Sequence, residues 1–278
     1  MSRLSKTFEH TLFDKVVGLV LVKRWKRKID HMLRSRLPSA SSVGFSHPSL
    51  IDHSRNDRYS YLTLQVKKDG FLLVDSVFSG DVLTKLSGEF DDLIANAESS
   101  GHHVDRHDGA TCLRVCPSEA LNPRRYAATV AFFSSNVCRS IAGHFFGASE
   151  NKLAFNSELF IHKTPPTTAP LSNILHWDKR PTLKFWVYID DIPVEAGPMA
   201  IEKGSSERNS IKRQRSIGMS PDDLTTIDNS VVADTSSLLR LTGRAGTILI
   251  HHTDASHRAT KVEHGFTRRI MRGHTRLS

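Results

Sequence analysis

Cysteine is scarce in this chain of 278 residues: Cys112, Cys116 and Cys138 are too few, and odd in number, for a disulfide-built scaffold. That usage fits a reducing compartment, and a cytoplasmic location is expected. Long apolar runs are missing too. The longest, Val16–Val22 with Gly18 inside it, has seven residues, against the ~20 a helix needs to cross a bilayer. With 38% hydrophobic and 24% charged residues, neither wholesale disorder nor a polytopic membrane protein fits. No internal repeat is visible. The length suits one large domain or two small ones, with enough chain to bury a core without disulfide or metal staples.

What is present in excess is positive charge, and it is uneven. Residues 1–38 carry ten Lys/Arg against Glu9, Asp14 and Asp30, a net of +7, while the remaining 240 residues carry 28 against 26, a net of +2. A near-neutral body argues against nucleic acid, since duplex binders carry a basic face on the folded domain itself. Residues 8–37 read as one basic amphipathic helix. Phe13, Val16, Val17, Val20, Trp25, Ile29 and Leu33 recur at helical intervals, beside the cationic block Lys23–Lys28, and Pro38 marks the end. Such a helix can lie in the headgroup layer of an anionic membrane, giving a peripheral location on its inner face. It can equally be a packing helix with a solvated cationic face. It is a poor secretory signal, because the basic block follows the apolar run and no small-residue cleavage site is evident.

Residues 39–58, rich in Ser, Pro, His and Asn, read as a linker, and 59–278 as the folded domain. Tyr61–Val66 and Phe71–Val74, separated by Lys-Lys-Asp-Gly, read as short strands. Ser79 can cap a helix running to about Ala97, with Val82, Leu86, Phe90 and Leu93 on one face. Residues 98–122 read as a loop holding His102, His103 and His107, and 124–146 as a second helix. Short β-type segments follow: 153–161, 183–190, 198–202, 237–241, 246–251 and 268–272. Helices first and strands after predict a mainly β (α+β) fold, an antiparallel sandwich or barrel flanked by N-terminal helices.

His-x-Asp occurs three times among fifteen histidines, at His103/Asp105, His176/Asp178 and His252/Asp254. About one match is expected by chance, so context must separate them. His103 lies in a Gly/Ser/Asp stretch, and after His252 only His257, His264 and His274 remain as a later third ligand. His176 instead ends an extended segment and precedes the strand Leu183–Ile189. Downstream come Glu195-Ala-Gly197-Pro198, Lys203-Gly204-Ser205-Ser, then Gly243-Arg-Ala-Gly246 introducing a strand that leads to His257. Arg268 follows His257 by eleven residues.

In that order the sequence resembles the phytanoyl-CoA dioxygenase family of iron(II)/2-oxoglutarate oxygenases, from about Asp69 to Arg272. His176-Trp-Asp178 looks like the family's His-x-Asp, and Gly197-Pro198 with Lys203-Gly204-Ser205 looks like its GP…PGSH stretch. Phe160-Ile-His-Lys163-Thr-Pro-Pro is similar to its KPP element, and Trp186 aligns with a family tryptophan. The resemblance implies a double-stranded β-helix core with iron held by His176, Asp178 and His257. It implies 2-oxoglutarate held by Arg268 beside Trp186, and dioxygen as the oxidant. The physics agrees. Two imidazoles and one carboxylate on one face of iron(II) leave open positions for a keto acid and dioxygen. The far carboxylate then suits a rigid guanidinium fork. Asp178 stands where halogenating relatives have a small residue, which favours hydroxylation.

The sequence departs from the family at Ala259, where many relatives have a hydroxyl residue that helps hold the co-substrate, and at Lys-Gly-Ser-Ser in place of Pro-Gly-Ser-His. His251 and His252 compete with His257 as distal ligand but lack the eleven-residue step. Arg269 would face away from Arg268. Cys112-x-x-x-Cys116 beside His102, His103 and His107 is no standard zinc knuckle. Lys163, Arg208, Lys212 and Arg213 are candidate substrate contacts, the last three in an insertion that in this architecture often covers the pocket. Together with the basic helix they suggest an anionic substrate presented at a membrane surface, and the Kdo hydroxylases acting on lipopolysaccharide are one member class that would fit. A soluble small-molecule hydroxylase and a metal-free binding module are the alternatives.

Overall fold

The computed structural model describes residues 55–107, 109–166, 174–215, 229–231 and 235–278, together with Arg27, Asp30 and His31. The basic helix expected over 8–37 and the linker over 39–58 fall almost entirely outside these residues. Four helices precede most of the strands: α1 (Arg55–Asp69), α2 (Gly80–Ala95), α3 (Ala127–Phe133) and α4 (Asn136–Phe146). The strands are β1 (Phe71–Val74), β2 (His103–His107), β3 (Ala110–Val115), β4 (Leu153–Thr164), β5 (Leu183–Tyr188), β6 (Ala200–Ile201), β7 (Leu239–Arg240), β8 (Ile248–His252), β9 (His257–Arg258) and β10 (Arg268–Leu277), with α5 (Ser206–Gln214) between β6 and β7.

The strands form two antiparallel sheets, a double-stranded β-helix. The major sheet runs β1-β8-β5-β10-β4-β3-β2 and the minor sheet β7-β6-β9. Bridges from His176 to His257 and to Ser230 extend the minor sheet by two further extended segments.

Side-chain alternation along each strand divides the molecule into two cores. From β5, Leu183, Phe185 and Val187 join Leu159 and Ile161 of β4, Ile248 and Ile250 of β8 and Met271 of β10 beneath the helices. The alternate residues Trp186, Tyr188, Leu249 and Ile270 face the minor sheet and meet Met199, Ile201, Leu241 and Ala255. The inner face therefore holds the functional cavity, and the outer face holds most of the apolar packing.

Backbone geometry is specified at two glycines. Gly246, at φ +82°, enters β8 so close to Phe78 that an added Cβ would run into its carbonyl. Gly197, at φ +68°, lies where a Cβ would come within 2.7 Å of Thr260 O.

Three expectations are corrected. Tyr61–Val66 is not a strand but part of α1. Its Leu62, Leu64 and Val66 mimic strand alternation, yet Leu64 is 53% exposed. The buried set is Leu62, Thr63 and Val66, at helical spacing. The stretch read as a loop over 98–122 contains the β2–β3 hairpin at the sheet edge. The single helix expected over 124–146 is broken at Ser134 and Ser135, where the Ser135 hydroxyl accepts from Cys138 N–H and caps α4.

Candidate active site

His176 and His257 face each other across a reciprocal backbone bridge. His176 N–H donates to His257 O at 3.0 Å, and His257 N–H to His176 O at 2.7 Å. Asp178 is tied to the turn before β9 by its N–H to Thr253 O at 2.9 Å. Each imidazole is oriented through Nδ1, which lies 2.9 Å from Ile174 O in His176 and 2.8 Å from Ala255 O in His257. A carbonyl can only accept, so both rings carry the proton on Nδ1 and turn the Nε2 lone pair inward. Those Nε2 atoms lie 3.7 and 3.6 Å from Asp178 Oδ1. One donor atom from each of the three residues lies within 4.8 Å of the others, the only such group among the described residues.

The surrounding field suits a divalent cation. Burial works to raise the Asp178 carboxyl, but the Lys184 ammonium, with His257 and His176, outweighs it and holds the group below its ordinary value. Lys184 Nζ lies 2.8 Å from Asp178 Oδ2, leaving Oδ1 to face the imidazoles. Burial, reinforced by Lys184, pushes His257 down to about 3, so its ring is neutral at physiological pH. Ionised carboxylate and neutral imidazoles are the protonation states a metal requires.

From this triad a cavity of about 290 Å³ runs along the inner face of the major sheet over Trp186, Tyr188, Leu249 and Ile270 to Arg268. Arg268 donates through Nη1 to Gly197 O, and its Nε has no partner among the described residues. Burial lowers it to about 10, still a cation at neutral pH. Thr164 stands opposite Arg268 in the β4–β10 register and also lines the cavity.

Trp186 lines the cavity as expected, and Arg269 faces outward to Asp190 at 2.6 Å and Asp91 at 2.8 Å. His251 and His252 are not brought into the triad. The His251 ring lies edge-on to His257 at 4.4 Å, and His252 Nε2 turns to Asp254 at 3.4 Å. Cys112 Sγ meets His162 Nε2 at 3.0 Å while Cys116 is exposed, so these thiols do not converge.

None of the four substrate candidates is in the described cavity lining. Lys163 sits on the outward face of β4, because alternation sends His162 and Thr164 inward instead. Arg208 pairs with Glu202 at 2.6 Å, and Arg213 forks onto the buried Asp254. Lys212 is exposed on α5, and neither it nor those two arginines lines the cavity. With Asn209 donating to Asp254 O at 2.8 Å, this helix clamps the turn leading to His257. Besides Arg268 and Arg258, the cations that line the cavity are Lys184 and Arg272. Their signal was the strand period, two residues before Trp186 and four after Arg268.

A double-stranded β-helix with this donor set at one end of its cavity and a guanidinium at the other belongs to the iron(II)/2-oxoglutarate-dependent oxygenases, and the chain is an enzyme of that class. Solved structures share the fold. The epimerase SnoN from nogalamycin biosynthesis, in complex with Fe3+, alpha ketoglutarate and nogalamycin RO, is 16% identical, with a TM-score of 0.56 over 79% of this chain and 83% of that one. EvdO2 from Micromonospora carbonacea var. aurantiaca, complexed with 2-oxoglutarate, is 17% identical, with a TM-score of 0.52 over 82% and 91%. EctD from S. alaskensis is 12% identical, with a TM-score of 0.52 over 87% and 82%. No curated protein matches the chain. The family model for phytanoyl-CoA dioxygenase matches residues 66–270, and the chain belongs to that family. Among the described residues no helix is long and apolar enough to cross a membrane.

Proposed function

We propose that this protein hydroxylates an unactivated C–H bond of an anionic substrate, holding iron(II) through His176, Asp178 and His257 and 2-oxoglutarate through Arg268. The observation that carries the reading is the convergence of three donor atoms within 4.8 Å, both imidazoles already locked by carbonyls, at one end of a cavity whose other end is Arg268. Iron(II) with 2-oxoglutarate and dioxygen supplies the oxidising power, leaving succinate and carbon dioxide. The chain's own residues do the rest. Lys184 keeps Asp178 ionised and turned, and Arg268 receives the far carboxylate. Thr164 offers a hydroxyl where Ala259 has none. Trp186, Tyr188, Leu249 and Ile270 exclude water from the space between.

The test is an anaerobic titration of iron(II) and then 2-oxoglutarate into the protein, following the weak visible charge-transfer band of the chelate. The band is expected to vanish in His257→Ala and to need far more 2-oxoglutarate in Arg268→Ala. A folded wild-type protein without the band would refute the reading.

We also propose that residues 8–37 bring the enzyme to an anionic membrane surface, where a lipid-linked sugar acid such as the Kdo of lipid A is one fitting substrate. The support is the net +7 of residues 1–38 beside a near-neutral body. Replacing Lys23, Arg24, Lys26, Arg27 and Lys28 with serine should abolish sedimentation with phosphatidylglycerol vesicles while 2-oxoglutarate binding persists. Unchanged sedimentation would remove the proposal.

A further inference from the structure

Arg272 lies inside the cavity, and nothing in the proposed iron and 2-oxoglutarate sites uses it. It follows Arg268 by four strand residues, so the two leave β10 on the same face about 13 Å apart. In the register of the sheet it stands opposite Trp186 on β5. Its guanidinium lies 4.7 Å from the Phe160 ring centroid and 5.2 Å from that of Trp186. Those two stacking contacts fix its position. They do not neutralise its charge. Among the described residues it makes no ion pair, and its Nε is buried without a hydrogen-bond partner. The carboxylates that act on it are committed elsewhere, Asp178 to Lys184 at 2.8 Å and Glu158 to Arg114 at 2.9 Å and Arg276 at 3.6 Å.

Charge bookkeeping over the whole cavity leads the same way. Four cations, Lys184, Arg258, Arg268 and Arg272, line the cavity, against two carboxylates: Asp105 in the lining and Asp178, which pairs with Lys184 at 2.8 Å. The neighbouring rings of His162 and His274 add nothing, because burial first, and then the adjacent cations, hold both well below the ordinary histidine value. Loading iron(II), a dication, and 2-oxoglutarate, a dianion, leaves this balance unchanged. Two positive charges therefore remain in a space shielded from water. An uncompensated buried cation is costly, and a fold keeps one where a ligand supplies the missing charge.

We infer that Arg272 is the substrate-anchoring residue, its planar fork receiving a carboxylate of the substrate beside the iron site. The inference rests on the iron and 2-oxoglutarate reading above and names the substrate class of that same site. A cavity of about 290 Å³ shared with 2-oxoglutarate admits only a small acid, or the acidic end of a larger molecule. The fixed, stacked guanidinium suits bidentate capture of a planar anion. Turnover would then fall on a carbon near that carboxylate, because the anchor and the metal ligands open into the same cavity.

The probe is benzoate, with benzamide as its uncharged counterpart. Binding is read by tryptophan fluorescence on the metal-free full-length protein, and by perturbation of the visible band on the anaerobic iron(II)/2-oxoglutarate complex. Benzoate is expected to bind saturably and at least tenfold more tightly than benzamide. Arg272→Met should weaken benzoate at least tenfold while the half-saturating 2-oxoglutarate concentration moves less than twofold. Arg268→Met should do the reverse. Because Arg272→Met removes an unpaired charge and keeps an apolar stem between the rings, its thermal midpoint should be equal to or above wild type. Arg272→Lys keeps the charge without the fork and should fall between the two for benzoate. Three results would overturn the inference: equal binding of benzoate and benzamide, a rise in the 2-oxoglutarate requirement of Arg272→Met like that of Arg268→Met, or a lowered midpoint in Arg272→Met. Failure of the function reading looks different. No visible band in the wild type, with benzoate selectivity still dependent on Arg272, removes the oxygenase site and leaves the anion site. A normal band without benzoate selectivity removes the anion site alone.

Discussion

Acid should unfold the metal-free protein well before its carboxylates titrate, because several histidines are buried in the neutral form. His252 is 8% exposed, its ring edge-on to Phe145 at 4.6 Å. Burial pushes it down to about 4, although Asp254 works the other way. His257 is pushed down to about 3 by burial and by Lys184. In the unfolded chain both return to ~6.5. The folded value is the lower one, so the unfolded state takes up protons first. Stability is therefore whole above about pH 6.5 and falls as pH drops toward the folded values. At pH 5 each ring is about 1.5 pH units below its unfolded value and still neutral when folded, a loss of about 2 kcal/mol per ring at 1.36 kcal/mol per unit. The two together cost about 4 kcal/mol, and His162, His251 and His274, all shifted downward, add in the same direction. Against a usual total of ~5–15 kcal/mol that is a large share. Glu89, raised by burial, opposes the trend as a single group. The assay is guanidinium unfolding at pH 7, 6 and 5 by circular dichroism. The midpoint should fall steeply, and His252→Gln should remove about one proton from the uptake measured on unfolding at pH 5. Equal midpoints at pH 7 and pH 5 would refute the account of an interior that holds its imidazoles neutral.

Other outcomes follow from single contacts. Asp254→Ala leaves the Arg213 guanidinium, 16% exposed, without its partner, and should cost about 3–5 kcal/mol of unfolding free energy, measured by denaturant titration. Gly246→Ala must move the Phe78 carbonyl and adopt φ +82°, and should lower stability by at least about 2 kcal/mol. A neutral result there would mean the β8 entrance is looser than described. Lys184→Met frees Asp178 Oδ2 from its 2.8 Å partner, and should weaken Mn(II) binding about tenfold or more by calorimetry. Unchanged affinity would show that the lysine does not hold the ligand.

The strands of the second half were legible because the period of two is strict there. Leu183, Phe185 and Val187 on one side, with Lys184, Trp186 and Tyr188 on the other, are a two-faced strand. The same rule misled at Leu62, Leu64 and Val66, where a helix happens to place apolar residues two apart. The β2–β3 hairpin was invisible for the opposite reason. His103–His107 is mostly exposed, so no apolar alternation marks it, and pairing to β3 alone makes it a strand. The triad was readable because His-x-Asp, the distal His257 and Arg268 stand in a constrained order. The anion contacts were not. Charge on a loop reads as availability, whereas Arg208 and Arg213 find partners only once the chain is folded. Arg272 was recoverable by counting four along the strand from Arg268.

The reciprocal bridge between His176 and His257 closes a loop of some eighty residues at its neck. The peptide groups of the two ligands set the spacing of their imidazoles directly, and the chain between them is not spare: it carries Asp178, the sheet strands β5 and β8, and the α5 clamp on the turn before β9. The triad is thus stitched at both ends of one continuous stretch, so the folding of that stretch and the assembly of the ligand set are a single event.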